Sequence, residues 1–244
     1  MFKNILVIGC GMIGSSILRG AMSQKLCRSV YVFEKNINYQ NQIKKINKKI
    51  ILLKKLDKKI KNMDLVVIST PMSEYQKIIN KLNKNLSNKT LITDVGSTRG
   101  NVTKLIKEKL SKKLNWIMSH PIAGSEASGP KYGSKNLFKN KWCILIKSKK
   151  NKMLENKLSR FWKKLGSKVL FMQEQEHDKI FSVTSHLPHL IAYNLINTAQ
   201  DFQKLHKKNI IKYSAGGLRD FSRIAASNEI MWRDVFFNNS KNIS

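Results

Sequence analysis

The sequence has little cysteine and no long hydrophobic run. Its 244 residues contain three cysteines, Cys10, Cys27 and Cys143, whose wide spacing does not predict a disulfide framework. No apolar run approaches the roughly 20 residues that a membrane-spanning helix requires. The first apolar run is a short strand with no small-residue cleavage site after it, so no signal peptide is expected. We therefore expect a protein of the reducing cytoplasm with no membrane partner.

Acidic residues are also few. The chain has 15 aspartates and glutamates against 46 lysines and arginines, which gives a formal net charge of +31. Such a charge is typical of proteins that bind nucleic acid or acidic membranes. The lysines are spread along the whole chain, however, and no basic stripe with interleaved aromatic residues stands out. Compositional drift on solvated surfaces explains this pattern as well, so no nucleic-acid partner is expected, although a positive field would attract a dianionic substrate.

The N-terminus carries a glycine motif between a predicted strand and a predicted helix. The apolar run from Ile5 to Ile8 is followed by Gly9-x-Gly11-x-x-Gly14 and then by a helix-compatible segment. Strand, glycine turn and helix are the elements of a dinucleotide-binding turn, in which Gly9 permits the turn, Gly11 lets the backbone approach a pyrophosphate and Gly14 lets the helix pack closely. We expect the whole turn to contact the cofactor, including Met12 and Ile13.

Two later strand ends extend this predicted cofactor site. The strand from Val30 to Phe33 ends at Glu34, which is placed to accept hydrogen bonds from the adenosine ribose and to repel a 2′-phosphate, so NAD is favoured over NADP. Lys35 weakens that preference. The buried strand at 64–69 leads into Ser69, Thr70 and Pro71, which we expect beside the cofactor. A glycine turn in an unrelated α/β protein, with a merely solvated Glu34, is the alternative.

The order of elements predicts an α/β fold of two parts. Strands and helices alternate up to Met172, which predicts a Rossmann-type, doubly wound and mostly parallel sheet over residues 1–172. Strand patterns then disappear, and residues 173–244 are expected to form a helical domain. Proline and glycine predict an irregular loop at 119–126. In the helical part, either a helix begins near Ser185 with Pro188 in its first turn, or one long helix is kinked at Pro188.

Several polar side chains are candidates for chemistry. His120 follows a strand, and a histidine near a nicotinamide removes a hydroxyl proton while hydride leaves the same carbon. An arginine such as Arg223 holds a carboxylate through two hydrogen bonds. His186 and His189 share a helix face, but no third ligand has suitable spacing, so no metal is expected. Taken singly, His120 also fits an ordinary loop histidine, and His186 and His189 fit core or capping residues.

Together these segments resemble the prephenate dehydrogenases, with the related arogenate and cyclohexadienyl dehydrogenases of tyrosine biosynthesis. The resemblance runs from residue 2 to residue 234. Its most specific parts are the HPxAGxE loop and the GGxRDxxRIA…MWRD block. The matching segments are the glycine turn, Asp94-Val95-Gly96-Ser97, the loop from His120 to Glu126, Ser185-His186-Leu187-Pro188-His189, the segment from Gly216 to Ala225, and Met231-Trp232-Arg233-Asp234.

The resemblance implies NAD-dependent oxidative decarboxylation of prephenate to 4-hydroxyphenylpyruvate, or of arogenate to tyrosine. By motif, His120 would deprotonate the ring hydroxyl, and Ser97 would hydrogen-bond His120. Arg223 would bind a substrate carboxylate, and His189 would place the substrate. The remaining motif residues that would line or brace the pocket are Gly216, Asp220, Glu126 and Trp232. The resemblance further implies a homodimer, and it leaves the choice between prephenate and arogenate open.

Other readings stay open at the level of sequence. A β-hydroxyacid dehydrogenase or a pyrroline-5-carboxylate reductase also joins a Rossmann domain to helices, although His120-Pro121 and Arg223 speak against both. A non-catalytic basic binding protein is a third reading, and the spacing from Gly9 to Glu34 speaks against it. The chain stops at Ser244, whereas the family's helical part usually continues, so the helical domain is expected to be short.

Overall fold

The computed structural model describes residues 2–148, 151–207 and 209–243. Its centre is a six-stranded sheet in the order β3-β2-β1-β4-β5-β6, and every neighbouring pair is parallel. This confirms the predicted doubly wound sheet. The order reverses between β1 and β4, where ligands bind beyond the carboxyl ends of the strands. The strands are β1 (Asn4–Ile8), β2 (Ser29–Phe33), β3 (Ile50–Leu52), β4 (Leu65–Ile68), β5 (Leu91–Asp94) and β6 (Asn115–Trp116).

Helices cover both faces of this sheet. Because side chains alternate along a strand, Ile5 and Val7 face one apolar cluster, and Leu6 and Ile8 face the other. Strands that are buried on both faces consist almost entirely of apolar residues, as β1 and β4 do. The helices of this part are α1 (Met12–Ser23), α2 (Ile37–Ile46), α3 (Tyr75–Asn85), α4 (Gly100–Lys109) and α5 (Lys152–Lys164).

A smaller, mixed sheet adjoins the first one. It consists of β7 (Ser119–Pro121), β8 (Trp142–Ile146) and β9 (Lys168–Met172), with β7 antiparallel and β9 parallel to β8. The expectation of an irregular loop from residue 119 is therefore wrong for residues 119–121. Pro121 is tolerated because β7 is an edge strand and Pro121 is its last residue. His120 consequently sits on a paired strand, opposite Ile144.

All described elements after β9 are helical. They are α6 (Glu174–Phe181), a π-helical turn at Ser182–His186, α7 (Leu187–His206), a 3₁₀ turn at Ile211–Tyr213, α8 (Gly216–Ala225), α9 (Glu229–Asn238) and α10 (Ser240–Ile243). Pro188 is the second residue of α7, two positions after the π-helical turn. The residue range 182–186 joins α6 to α7 without a break in helical structure. Within the described residues, no helix has the length and apolar character to span a membrane.

Three sets of hydrogen bonds dock these helices on the carboxyl edge of the large sheet. Asp178 of α6 accepts the backbone N–H groups of Arg99 and Gly100, each at 2.8 Å. Asp234 of α9 accepts the N–H of Ser73 at 3.2 Å. The Asn101 side chain donates to the Asn238 carbonyl at 3.0 Å. The helical part therefore meets the sheet beside the ends of β4 and β5, where the ligand crevice is expected.

Candidate functional site

The three glycines of the N-terminal turn have the spatial roles that their spacing predicts. Gly9 has φ +79°, and a Cβ there would lie 2.6 Å from Thr70 Cγ2. A Cβ on Gly14 would lie 2.3 Å from the Gly9 carbonyl oxygen. At Gly11, by contrast, a Cβ would meet nothing within 4 Å. Two glycines thus close the turn, and the third leaves an open space over the start of α1, where a pyrophosphate fits.

The groups around this space suit a dinucleotide. No side chain in the described ranges caps the N-terminus of α1, and its first turn contains no acidic residue, so its N–H groups face the open space. Glu34 is held at the end of β2, since its Oε2 accepts the Cys10 N–H at 2.7 Å and its Oε1 accepts the Asn36 N–H at 2.8 Å. The carboxylate is therefore fixed beside the turn, where ribose hydroxyls are expected.

The residues after β4 complete this wall. Ser69 Oγ donates to the Gly9 carbonyl at 2.7 Å, which ties the two strand ends together. Thr70 Oγ1 is buried and has no hydrogen-bond partner among the described residues, and Pro71 follows it at the start of a 3₁₀ turn. An unpaired buried hydroxyl is costly unless a ligand satisfies it. Ser69, Thr70 and Pro71 therefore follow β4 beside the glycine turn, and their contact with the cofactor stays a prediction.

The loop after β7 lies against the glycine turn. A Cβ on Gly124 would be 3.8 Å from Ile13 Cδ1, and Ser125 Oγ is 3.9 Å from Met12 Sδ. Met12 and Ile13 consequently form the contact between the predicted cofactor site and the loop that follows His120. Burial, reinforced by the charge of Glu34, raises the pKa of Cys10 far above its usual value. That thiol is not a reactive thiolate at neutral pH.

The glycine geometry yields a matched pair of variants. We expect Gly11→Ala to fold normally but to weaken NAD binding by at least about tenfold, because the new methyl group occupies the ligand's space without touching the protein. Gly14→Ala should instead lower the melting temperature, since its Cβ collides with the Gly9 carbonyl. Thermal unfolding and NAD titration calorimetry distinguish the two effects. Unchanged NAD affinity in Gly11→Ala would contradict this placement of the pyrophosphate.

His120 begins a row of hydrogen-bonded side chains. Its Nδ1 lies 2.8 Å from His177 Nε2, and His177 Nδ1 lies 2.9 Å from Asp178 Oδ1. His177 is fully buried and Asp178 is nearly so, whereas His120 is half-buried. His120 Nε2 makes no hydrogen bond to any residue in the described ranges. One ring nitrogen of His120 is therefore held by the protein, and the other remains available to a substrate.

Both histidines are neutral at physiological pH. Burial lowers the pKa of His120 well below its usual value, and the positive charge of Arg99 acts in the same direction. Burial also lowers the pKa of His177, although Asp178 acts in the opposite direction. A neutral imidazole has one lone pair, which is what a general base needs. His120 thus has the protonation state of a base without any change of pH.

A buried ion pair supports the segment that carries Ser97. Arg99 and Asp94 are both inaccessible to solvent, and their side chains are 2.9 Å apart. Asp94 also accepts hydrogen bonds from Tyr75 Oη at 3.1 Å, Trp116 Nε1 at 3.0 Å and the Gly96 N–H at 3.0 Å. These contacts fix the turn after β5. Ser97 is half-buried there, and no hydrogen bond among the described residues joins it to His120.

The helical side contributes an aromatic pair and an ion pair. The His189 ring stacks on the Trp232 ring with centroids 3.6 Å apart and planes 18° apart. His189 Nδ1 donates to the Ser185 carbonyl at 2.9 Å, so its Nε2 carries a lone pair. Arg223 of α8 binds Glu126 Oε1 at 2.6 Å, which connects α8 with the loop that follows His120. Burial lowers the pKa of His189, and the nearby charge of Glu126 acts in the opposite direction, so the two pairs lie close to each other.

The structure gives less support to two of the residues that were predicted to line the substrate pocket. Gly216 and Asp220 lie on α8 and are exposed, and a Cβ on Gly216 would meet nothing within 4 Å. They share the helix with Arg223, but no hydrogen bond or ion pair among the described residues joins them to His120 or His189. No residue of α8 is buried, since α8 packs chiefly on α7. Their assignment to the pocket stays a prediction. Among the described residues, no cluster of potential metal ligands is present.

Sequence reasoning missed His177, Asp178 and Asn239. Asp178 follows His177 in the acidic segment Glu174-Gln175-Glu176-His177-Asp178, which reads simply as the start of a helix. Asn239 donates to His186 Nδ1 at 2.9 Å and to the Asp178 carbonyl at 2.9 Å. Their importance comes from contacts between residues 53 to 79 positions apart in the chain, and no local pattern predicts such contacts.

His186 makes protein stability depend on pH. Burial lowers the pKa of His186 to about 4, whereas an unfolded histidine has a pKa of about 6.5. The unfolded chain therefore binds more protons between these values, and stability falls as the pH falls from 6.5 to 4. The full loss from this one group is about 3 kcal/mol. The aspartates with lowered pKa values, Asp178 and Asp234, lose their contribution only below pH 3.8.

Urea unfolding measured between pH 7 and pH 4 checks this expectation. His186→Asn is the matched variant, because its amide oxygen replaces Nδ1 as the acceptor for Asn239 but binds no proton. We expect the variant to lose less stability over this pH interval than the original chain. Equal losses in the two proteins would contradict the role assigned to His186.

Comparison with known proteins identifies the relatives of this chain. The nucleotide-binding domain of prephenate dehydrogenase matches residues 20–171, and the dimerization domain of prephenate dehydrogenase matches residues 173–244. The glycine turn precedes the first match, so its geometry is an independent observation. The two matches meet where β9 ends and α6 begins.

Individual relatives agree with these matches. A cyclohexadienyl dehydrogenase of Zymomonas mobilis is 29% identical over 98% of this chain and 82% of its own length. A prephenate dehydrogenase of Lactococcus lactis is 32% identical over 97% of this chain and 65% of its own length, so this chain spans about two thirds of that relative. The crystal structure of the Aquifex aeolicus prephenate dehydrogenase with hydroxyphenyl propionate and NAD+ superimposes with a TM-score of 0.88, at 32% identity, over 100% of this chain and 85% of that one.

Proposed function

This chain belongs to the prephenate dehydrogenase family, and we propose that it converts prephenate to 4-hydroxyphenylpyruvate with NAD as the oxidant. The observation that carries the proposal is the neutral His120, which has one nitrogen held by His177 and lies on the strand whose following loop contacts the glycine turn. A base and a dinucleotide site are thereby brought together. Membership of this family speaks against the β-hydroxyacid dehydrogenase and pyrroline-5-carboxylate reductase alternatives.

The bound NAD would accept a hydride, and the protein supplies alignment and a base. His120 Nε2 takes the proton of the ring hydroxyl as the hydride leaves the same carbon, which becomes a carbonyl carbon. Loss of CO2 then leaves its bonding electrons in the ring, and the new phenolate oxygen recovers the proton from His120. Prephenate and NAD+ give 4-hydroxyphenylpyruvate, CO2 and NADH, with no net proton released. We assign Ser97, in the turn after β5, to the substrate hydroxyl and to His120 in the ligand-bound state.

The helical side would hold the substrate's charged groups. Arg223 is fixed by Glu126 at 2.6 Å, and a substrate carboxylate would replace this partner with a second, equally charged one. His189 and Trp232 form a flat wall beside it, which suits an unsaturated ring. Hydroxyphenyl propionate, bound by the Aquifex relative, combines a ring hydroxyl with a side-chain carboxylate. We assign Gly216, Asp220 and Glu126 to the same substrate pocket.

A parallel assay tests the substrate and the cofactor together. NADH or NADPH formation is measured with prephenate and with arogenate, each with NAD and with NADP. We expect the largest kcat/KM for prephenate with NAD, because the fixed Glu34 carboxylate repels a 2′-phosphate. Preference for arogenate would move the proposal to the neighbouring activity of the same family. Absence of turnover with both substrates would refute it.

We further propose that residues 1–172 bind the cofactor and that residues 173–244 bind the substrate and a second copy of the chain. The matched dimerization domain supports this assignment. Large apolar side chains remain exposed on the helices, namely Leu187, Ile191, Leu195, Phe202, Ile230, Met231 and Phe237. Such a surface is expected to be covered by a partner. Sedimentation should give the mass of a dimer, and Phe237→Glu should shift it toward a monomer, whereas Ile37→Glu, on the exposed start of α2, should not.

We also propose that the protein is cytoplasmic. Cys10, Cys27 and Cys143 are all free in the structure, which fits a reducing compartment.

A further inference from the structure

The row of side chains behind His120 has a defined direction of hydrogen bonding. Asp178 Oδ1 accepts the Arg99 N–H at 2.8 Å, and Asp178 Oδ2 accepts the Gly100 N–H at 2.8 Å. Although burial opposes ionisation, the hydrogen bonds from His177 and from these two amides hold the pKa of Asp178 below its usual value. Asp178 is therefore an ionised acceptor. The nitrogen that faces it, His177 Nδ1 at 2.9 Å, must carry a hydrogen.

The protonation of His177 then determines that of His120. A neutral imidazole with hydrogen on Nδ1 has its lone pair on Nε2, and His177 is neutral because it is buried. His177 Nε2 lies 2.8 Å from His120 Nδ1, so it accepts a hydrogen bond from that nitrogen. His120 consequently carries its own hydrogen on Nδ1 and its lone pair on Nε2. The opposite direction would place two lone pairs face to face at His177 and Asp178.

We propose that His177 and Asp178 are positioning residues that keep His120 in the tautomer with a free Nε2 lone pair, ready to take the substrate's hydroxyl proton. The inference rests on the proposed function, and it adds two residues outside the sequence motifs of the family resemblance. In the step itself, the O–H bond breaks and an N–H bond forms at His120 Nε2. The imidazolium that results is stabilised by the negative charge of Asp178 at the other end of the row.

Packing keeps the row in place. The Phe181 ring contacts both imidazoles, with centroid distances of 4.8 Å to His120 and 4.4 Å to His177. The π-helical turn Ser182–His186 begins directly after Phe181, and such turns are frequent at functional sites. Asn239 donates to the Asp178 carbonyl and so anchors the acidic end. The orientation of His120 is thus set by α6, the first helix after the sheets.

Two substitutions at one position separate orientation from mere filling of space. His177→Gln places an amide oxygen where Nε2 was, so His120 Nδ1 keeps an acceptor. His177→Phe fills the space but offers no acceptor, so His120 is expected to move its hydrogen to Nε2 and lose the exposed lone pair. In both variants Asp178 keeps its two backbone donors. Asp178 itself is left unchanged, because its replacement would also undo the docking of α6.

For the kinetic test, we expect His177→Phe to lower kcat for prephenate on the order of tenfold to a hundredfold, and His177→Gln to stay within about threefold of the original chain. KM should change little in either variant, because neither side chain touches the substrate. A kcat in His177→Phe within about threefold of the original would overturn the proposal, and so would equal losses in the two variants.

Nitrogen-15 NMR of histidine-labelled protein provides a readout that does not depend on turnover. In the original chain, we expect the His120 signals of a neutral ring with hydrogen on Nδ1. In His177→Phe they should change to those of the other tautomer, and in His177→Gln they should not. Hydrogen on Nε2 in the original chain would overturn the proposal even if the phenylalanine variant fails to fold. Absence of prephenate turnover would refute the proposed function alone, and the tautomer result would still stand.

Discussion

Replacing His120 with asparagine is expected to lower kcat for prephenate by about 10²–10⁴-fold, which is the usual contribution of a positioned general base. Asparagine is polar and of similar breadth, but it cannot take a proton at neutral pH. The ring hydroxyl would then keep its proton while the hydride leaves, so the developing positive charge on the carbon would not be relieved. Steady-state kinetics with prephenate and NAD measure the effect.

NAD affinity separates this loss of chemistry from a loss of structure. The glycine turn, Glu34 and Thr70 form the predicted cofactor site, and none of them is hydrogen-bonded to His120. The dissociation constant for NAD and the melting temperature should therefore change little in His120→Asn. His206→Asn, at an exposed position near the end of α7, is a control that should leave kcat unchanged. A kcat in His120→Asn close to that of this control would show that His120 is not the base.

Replacing Arg223 with leucine is expected to raise KM for prephenate by about ten- to a hundredfold, since hydrogen bonds to a charged group contribute about 1.5–3 kcal/mol. The leucine keeps an apolar stem on α8 but cannot bind a carboxylate. The effect should fall mainly on KM, because Arg223 lies with Glu126 and not with the His120 row. Initial rates over a range of prephenate concentrations distinguish KM from kcat.

Glu126→Gln provides the comparison for this variant. In the structure, Glu126 occupies Arg223 at 2.6 Å and therefore competes with a substrate carboxylate for the same guanidinium. Removing its charge should leave KM for prephenate unchanged or lower it. If Glu126→Gln raised KM as strongly as Arg223→Leu, the competition would be excluded, and Glu126 would instead be a direct contributor to substrate binding.

Local patterns were sufficient to predict the geometry of the glycine turn. Gly9 and Gly14 have no room for a side chain, and Gly11 has nothing near it, so each glycine's role follows from a short-range requirement that spacing reveals. The alternation of apolar strands and helices likewise predicted the parallel sheet, because burial on both faces leaves a direct trace in the sequence. Helical periodicity at 180–200 likewise predicted α7, and the disappearance of strand patterns after Met172 predicted a helical domain.

Contacts between distant segments could not be predicted from local sequence patterns. The strand character of residues 119–121 arises from pairing with β8, and the local proline suggested the opposite. His177 and Asp178 acquire their roles from His120, Arg99 and Gly100, which lie far away in the chain. Family motifs supplied His120 and Arg223, but the structure alone supplied the side chains that orient His120.

The central claim is that this chain oxidises prephenate with NAD at the His120 centre. Incubating the purified protein with prephenate and NAD, and quantifying NADH, CO2 and 4-hydroxyphenylpyruvate together, tests it most directly. We expect the three products in equal amounts, and their formation should nearly cease in His120→Asn, although that variant still binds NAD. NADH formed without CO2, or equal rates in the two proteins, would contradict it.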